Sequence, residues 1–519
     1  STTVHEILRK GEALELKGHW EEALGLYERA RKENKQSKEI ANKAINARTH
    51  FEIQRRYADP AFIRTLNSTP HLTAHNILSE VFLKVDAYYV GQPEWVAMVR
   101  QGLSNIDVAL YDPSFQKLFL AQQTEPEINY AYQRMHQIAQ QFRVGSRKQA
   151  IEFALAISNS LSTDLQIPKQ ITLFEFINGA TTALDPYSTY LTGEQYADVM
   201  SQIDGNFVGL GVEIFPKRKT LQIASVIPNG PAAIQGLKKG DFILRIDGKS
   251  VDQVGGDAAA DMLKGREGTM ASLEIQRTIQ GNNQTFSMQI TRARVDIPSV
   301  QGVSIIDQQH GIGYIQLTNF QKTTVTDFQE ALWSLHKQGL KSLIVDVRGN
   351  PGGLLTASVN VADLFVSQGI LVSTKGRNSR EDYVHRAQDQ GTWKFLPLTV
   401  LVDRDSASAS EIFAGAISDQ QRGTIVGETS YGKGSVQGIF PLTLARGGIR
   451  LTTAKFYSPS GAAISNRGVK PDIIVQTTQR PTFDLITPDR RSAEAPSADK
   501  ALETAISVAR RKSQQRNAG

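Results

Sequence analysis

Cysteine is absent from all 519 residues, which removes thiol catalysis, disulfide bracing and thiolate-held metal together. The redox compartment is unreadable for the same reason. No apolar run approaches the ~20 residues that a membrane-spanning helix requires. Charge of one sign is also scarce: 58 Lys and Arg face 52 Asp and Glu, a net of +6. The basic runs, Arg490-Arg491 and Arg510 to Lys512, are short, so a solvated surface and tail fit better than nucleic-acid binding. No H-E-x-x-H motif or clustered His/Asp spacing points to a metal. The chain opens at Ser1 without a basic and apolar leader, so the expectation is a removed signal or a trimmed end.

What is present reads as an ordinary globular protein, with 40% apolar and 21% charged residues. The length exceeds what one core spans and suggests about three domains. From Val4 to about Tyr196 the apolar spacing is helical, as in Ile151, Ala154, Leu155 and Ile157. Within it, Gly11 to Ala30 sets small Gly18 and Ala23 against large Trp20 and Tyr27. That segment resembles a single tetratricopeptide repeat, but such repeats need about three copies, so a lone helical hairpin is the expectation. Short β-rich runs separated by Gly, Pro, Asn and Asp follow from Gly205 to about Arg294, interrupted by one helical stretch, Gly256 to Lys264. Strand and helix signals then alternate, an α/β layer pattern, closed by a β-rich stretch from Val436 to Phe456. The stretch from Thr478 to Asp499 reads as a linker before a short helix, Lys500 to Arg511.

The run SASASE, Ser406 to Glu411, follows the apolar strand LTVLV and opens a helix carrying Ile412, Phe413 and Ile417. A serine at such a junction lies beside helix N-terminal amides that lack internal acceptors and can stabilise an oxyanion. Taken alone, the run is better explained by serine capping, the commonest role of serine at a helix start. Lys433, in YGKG 25 residues after Ser408, shifts the balance. A serine hydroxyl needs a base, and a lysine amine can serve if burial holds it neutral. Gln437 lies four residues beyond, which in a strand is the same face as Lys433. The segment Gly427 to Lys433 also satisfies G-x-x-x-x-G-K, yet Gly434 replaces the hydroxyl residue and no helix follows, so phosphate binding ranks below hydrolysis.

Of nine histidines, only His310, His336 and His385 fall in the α/β region, and none has the setting of a triad member. Ser334-x-x-Lys337 matches a spacing of penicillin-recognising enzymes without their companion motifs. The segment DVRGNPGG, Asp346 to Gly353, ends a strand with two glycines opening the next helix. It reads equally as an oxyanion donor or a tight turn.

Taken in order, LDPYSTYL (Leu184 to Leu191), GLGVEI (Gly209 to Ile214), GIGYIQLTNF (Gly311 to Phe320), DVRGNPGG, SASASEIFAGAI, VGETSYGKGSVQ (Val426 to Gln437) and LTTAKFYSPSGAAI (Leu451 to Ile464) resemble the carboxyl-terminal processing, or tail-specific, proteases of the S41 serine peptidases. The resemblance implies a multidomain α+β chain. Its parts would be a helical N-terminal region over 1–198, a PDZ domain over 199–295 and a ClpP/crotonase-like α/β protease core over 296–477, with a linker and C-terminal helix over 478–519. It implies Ser408 as nucleophile, Lys433 as general base and Gln437 as its positioning partner. The oxyanion donors fall on the amides of Gly353 and Ala409, with Gly352 as an alternative. Phe207, Val208, Gly209, Leu210, Gly211 and Val212 would form the carboxylate-binding loop, and Ala259 and Met262 would line a pocket for the last side chain. No cofactor or metal is implied. Expected partners are proteins or peptides with apolar C-termini, cleaved outside the cytoplasm under gating by the PDZ domain. The long helical N-terminus is open to adaptor binding or self-association. The rival expectation is a catalytically idle PDZ scaffold that presents tails to another protease.

Overall fold

The computed structural model describes residues 4–34, 36–217, 219–388, 393–476 and 499–517. They form two compact units, one of residues 1–197 with 437–453, the other of 198–436 with 454–519.

The first unit is helical. Helices Val4–Glu15 and Trp20–Glu33 make the expected hairpin. Gly11 is what lets them close: a Cβ there would fall 2.1 Å from the Tyr27 hydroxyl. Gly18 does not pack between the helices as the spacing suggested; at φ +71° it makes the turn, a conformation glycine adopts without strain. Helix Lys169–Thr182 is apolar almost all round and accordingly buried. It carries Glu175, whose carboxylate accepts hydrogen bonds from Arg56 (2.7 Å), Tyr57 (2.7 Å) and Asn105 (2.6 Å), so the buried charge is matched. Strand Thr189–Leu191, inside the LDPYSTYL segment, pairs antiparallel with Gly448 to Arg450. The sequence reading missed it because three residues carry no periodicity and the partner is far along the chain.

The second unit holds a β module and an α/β core. In the module, strands Val212–Lys217, Thr220–Val226, Phe242–Ile246, Met270–Ile279 and Asn282–Thr291 lie in that spatial order. The last two join through Gln280-Gly281, both at positive φ, the backbone of a type I′ hairpin. Val212–Lys217 is the edge strand and contains Pro216, a residue that only an edge tolerates because it cannot donate to a ladder. Strands Asn206–Gly209 and Ala293–Asp296 pair separately.

The core sheet runs Val300–Asp307, Ile312–Leu317, Ser342–Asp346, Leu398–Val402, Thr424–Gly427, Ile473–Ile474, parallel from the second strand onward. Side chains alternate across it. Ile315, Val345 and Val400 face helices Thr324–Lys337, Leu355–Asp363 and Ala409–Asp419. Tyr314, Ile344 and Leu401 face helix Lys500–Asn517 through Leu502, Ala505 and Ala509. That helix runs six residues past the expected end, and the linker expected before it lies outside the described residues up to 498.

Arg510 on this helix donates to Asp307 at 2.7 Å, and the Asp307 carboxylate also takes the ring nitrogen of His310 at 3.0 Å. Burial pushes the Asp307 carboxyl up, but Arg510 and His310 outweigh it and hold it at about 2. Against an unfolded value of about 3.9, this depressed group stabilises the fold above about pH 4 and loses that contribution as pH falls through about 2. Thermal unfolding of wild type and Asp307→Asn should therefore differ at neutral pH and converge over that window. A gap that stays constant down to pH 2 would contradict the assignment.

Candidate active site

Three loops meet at one edge of the core sheet because the strands before them are parallel, so their carboxyl ends share that edge. They are the glycine turn after Ser342–Asp346, the serine run after Leu398–Val402 and the lysine loop after Thr424–Gly427.

The structure separates the three serines. Ser406 is buried; its hydroxyl donates to Val347 O at 2.8 Å and accepts from Asp403 N–H at 2.9 Å. Ser410 is buried and donates to Asn350 O at 3.0 Å. Ser408 is half-buried and caps helix Ala409–Asp419 at φ 56°, ψ −112°. A non-glycine residue there stores about 1–3 kcal/mol of strain, which surrounding contacts must hold. One such contact is the Ser408 N–H bond to Glu411 Oε2 at 2.8 Å. Ala409 N–H is the first amide of the helix, among those a helix leaves without internal acceptors.

Glu411 is the residue that sequence reasoning left without a role. It is fully buried, and besides Ser408 N–H it accepts from Lys433 N–H (3.0 Å), Gly432 N–H (2.6 Å) and the Ser430 hydroxyl (2.7 Å). One carboxylate therefore fastens the serine turn to the lysine loop. Tyr431 N–H adds a direct bond to Ser406 O at 3.0 Å. The available signal was Ser-x-x-Glu at a helix start, the capping-box pattern. The glycines beside Lys433 bring this loop against a second segment: a Cβ on Gly434, at φ +56°, would fall 2.2 Å from Ser465 N.

Lys433 is half-buried and lies in the loop, not in the following strand, which begins at Ser435. The same-face argument linking it to Gln437 therefore fails, because the turn at Gly432 and Gly434 breaks the two-residue alternation. Gln437 is itself half-buried, and its amide donates to Thr452 Oγ1 at 3.0 Å. No helix follows the lysine, in keeping with the low rank given to phosphate binding.

The glycine turn is braced from several sides. Arg348 is buried against Asp346, donating through Nε at 2.9 Å and Nη2 at 2.6 Å. Burial would loosen its proton, but Asp346 and Asp499 outweigh that and raise its pKa. Gly349 N–H donates to Asp403 Oδ1 at 3.0 Å, and Asn350 O accepts Ala407 N–H at 3.0 Å. Gly352 N–H donates to Asn350 Oδ1 at 2.8 Å, which commits it and removes it as the alternative donor. Its missing side chain matters, since a Cβ there would fall 2.7 Å from Ser408 Cβ and 2.9 Å from Ala409 N. The bridge to Phe320 uses Gly352 O (2.8 Å) and Leu354 N–H (2.7 Å), so the Gly353 N–H between them is not used by it.

In the β module, Phe207, Val208 and Gly209 lie in a paired strand; Leu210 and Gly211 make the turn, and Val212 begins the edge strand. Leu210 is buried in the module's core. So is Ala259, and Met262, half-buried, packs against the same core. His310 is held by Asp307, His336 packs on Trp333 and Trp393, and Ser334 and Lys337 are exposed on their helix.

Residues 311–475 match the model of Peptidase family S41, and residues 199–276 match that of the PDZ domain. A carboxy-terminal-processing protease of Bartonella bacilliformis is 37% identical over 334 residues, covering 63% of this chain and 75% of that protein. A probable CtpA-like serine protease of Staphylococcus aureus is 30% identical over 322 residues; the match takes in 62% of this chain and 63% of the relative's length. Among solved structures, a photosystem II D1 C-terminal processing protease shares 26% identity at a TM-score of 0.41, over 78% of this chain and 93% of that one. Identity of this order across three quarters of a known relative, with PDZ and S41 segments in sequence, places the chain in the S41 family of serine peptidases, among the carboxy-terminal-processing proteases.

Proposed function

We propose that the protein is an endopeptidase that cuts substrates near their C-termini with a Ser/Lys pair. The observation that carries this reading is the selection among the serines: Ser408 alone of the run is accessible, on a strained helix mouth fastened through Glu411 to the loop of Lys433. In the proposed cycle Ser408 Oγ attacks the scissile carbonyl while the neutral Lys433 amine takes its proton. Lys433 returns that proton to the leaving amine. Water then attacks the acyl-enzyme ester, Lys433 accepts a proton from it, and Ser408 leaves reprotonated. The amides of Gly353 and Ala409 serve as donors to the oxyanion. Gln437 is read as the positioning partner of the lysine, and no cofactor enters the cycle.

In the same reading the turn at Gly209 to Gly211 and the start of the edge strand hold the substrate's terminal carboxylate. The open edge of Val212–Lys217 offers a row of backbone groups to an extended peptide, the mode known as β-augmentation. Action outside the cytoplasm belongs to this proposal and rests on the family alone. A disordered substrate with an apolar tail tests it, supplied with a free or an amidated C-terminus. Removing the charge should slow turnover about 10- to 100-fold, since hydrogen bonds to an ionised group are worth about 1.5–3 kcal/mol. Equal rates would take the module out of tail recognition, and no cleavage of either form would favour the idle scaffold.

A further inference from the structure

The glycine turn is held from outside the S41 segment. Arg348 Nη1 and Nη2 donate to the two oxygens of Asp499 at 3.0 and 2.9 Å. This is the fork geometry that pairs guanidinium and carboxylate most firmly. Asp499 lies beyond residues 311–475, which match the family model. It also caps the C-terminal helix, accepting Leu502 N–H at 3.1 Å. The Arg348 side chain is fully buried, whereas that of Asp499 is 21% exposed. The carboxylate thus sits at the rim and reaches in to an arginine at the base of the turn. From Arg348 the backbone passes through Gly349, tied to Asp403, and Asn350, which ties Ala407, Ser410 and Gly352.

We propose that Asp499 is a positioning residue of the active site, acting through Arg348 to fix the turn that presents Gly353 beside Ser408. The C-terminal helix is then part of the catalytic apparatus and not an appendage. This deepens the peptidase reading, because it rests on that turn being the oxyanion donor. Asp346 already orients one side of the guanidinium; Asp499 fixes the other, and a fork held on both sides cannot rock. A displacement of about 1 Å at such a turn costs as much as 100-fold in rate.

The test is Asp499→Ser in the full chain, because serine still caps a helix but is too short to span both guanidinium nitrogens. Amide hydrogen exchange is followed for residues 347–350 and 352 and for the C-terminal helix, together with kcat and KM. The expected result is about 10-fold faster exchange in the turn, a helix still protected, and kcat about 10-fold lower at unchanged KM. Turn amides exchanging at the wild-type rate would overturn the proposal whatever happens to kcat. So would turn and helix amides accelerating together, since that is the signature of mere loss of docking. If wild type itself cuts nothing, the peptidase reading fails while exchange still decides the role of Asp499.

Discussion

Ser408→Ala should lower kcat by about a million-fold, the loss seen when a serine nucleophile is deleted from an otherwise intact site, and leave the melting temperature near that of wild type. Ser406→Ala and Ser410→Ala should behave oppositely. Each removes a buried hydroxyl that satisfies backbone groups, so each should cost about 1–3 kcal/mol of stability and much less in rate per folded molecule. Ser408→Gly adds a second axis. Glycine adopts φ 56°, ψ −112° without the penalty serine carries there, so this variant should be inactive yet more stable by about 1 kcal/mol. Lys433→Ala should resemble Ser408→Ala in rate. The measurements are turnover of a disordered substrate and thermal melts on the same preparations. Substantial activity in Ser408→Ala, or an inactive but fully stable Ser406→Ala, would put the nucleophile on the wrong residue.

Glu411→Ala should damage both rate and fold. It strips the shared acceptor from Ser408 N–H, Gly432 N–H, Lys433 N–H and the Ser430 hydroxyl. Each buried donor left unmade costs about 1–3 kcal/mol, partly recovered by water entering the cavity, so a loss of about 3–5 kcal/mol is expected. The folded fraction should still be slower by about 100-fold or more, because the serine turn and the lysine loop lose the group that fixes their separation. Glu411→Gln sharpens the test. Its single carbonyl oxygen serves either the Ser408 and Lys433 amides or the Gly432 and Ser430 donors, and its NH2 then opposes the other pair. Activity between those of wild type and Glu411→Ala is expected. A glutamine variant with wild-type kcat and melting temperature would refute the role assigned to this carboxylate.

Much of the α/β core is readable in the sequence because its strands are short continuous apolar runs bounded by turns. Leu398–Val402 is observed as expected. Strands that escape the reading are those whose pairing, not their own composition, makes them strands. Thr189–Leu191 needs Gly448 to Arg450, and Asn206–Gly209 needs Ala293–Asp296. Ile370–Gly376 is sandwiched between Tyr383–Arg386 and Ala454 to Tyr457. The site divides the same way. Ser408 and Lys433 stand out by local pattern, whereas the group that joins them is a glutamate whose partners lie up to 22 residues downstream. Asp499 and Arg348 are 151 residues apart, and no local pattern relates them. Only the strand argument for Lys433 and Gln437 fails, and for a local reason: the strand starts two residues too late to carry both.

The covering of the core sheet by helix Lys500–Asn517 has a consequence for biosynthesis. A ribosome releases Ser408 and Lys433 well before Asp499, and at ~5–20 residues per second the nascent chain spends on the order of 5–20 s with both of those residues made but one face of its sheet bare. During that interval the glycine turn lacks its outer brace, so on the role proposed for Asp499 any cutting is about 10-fold slower until this late helix docks. On the role proposed for Asp499, a chain built in that order reaches its full rate only when its last helix is in place.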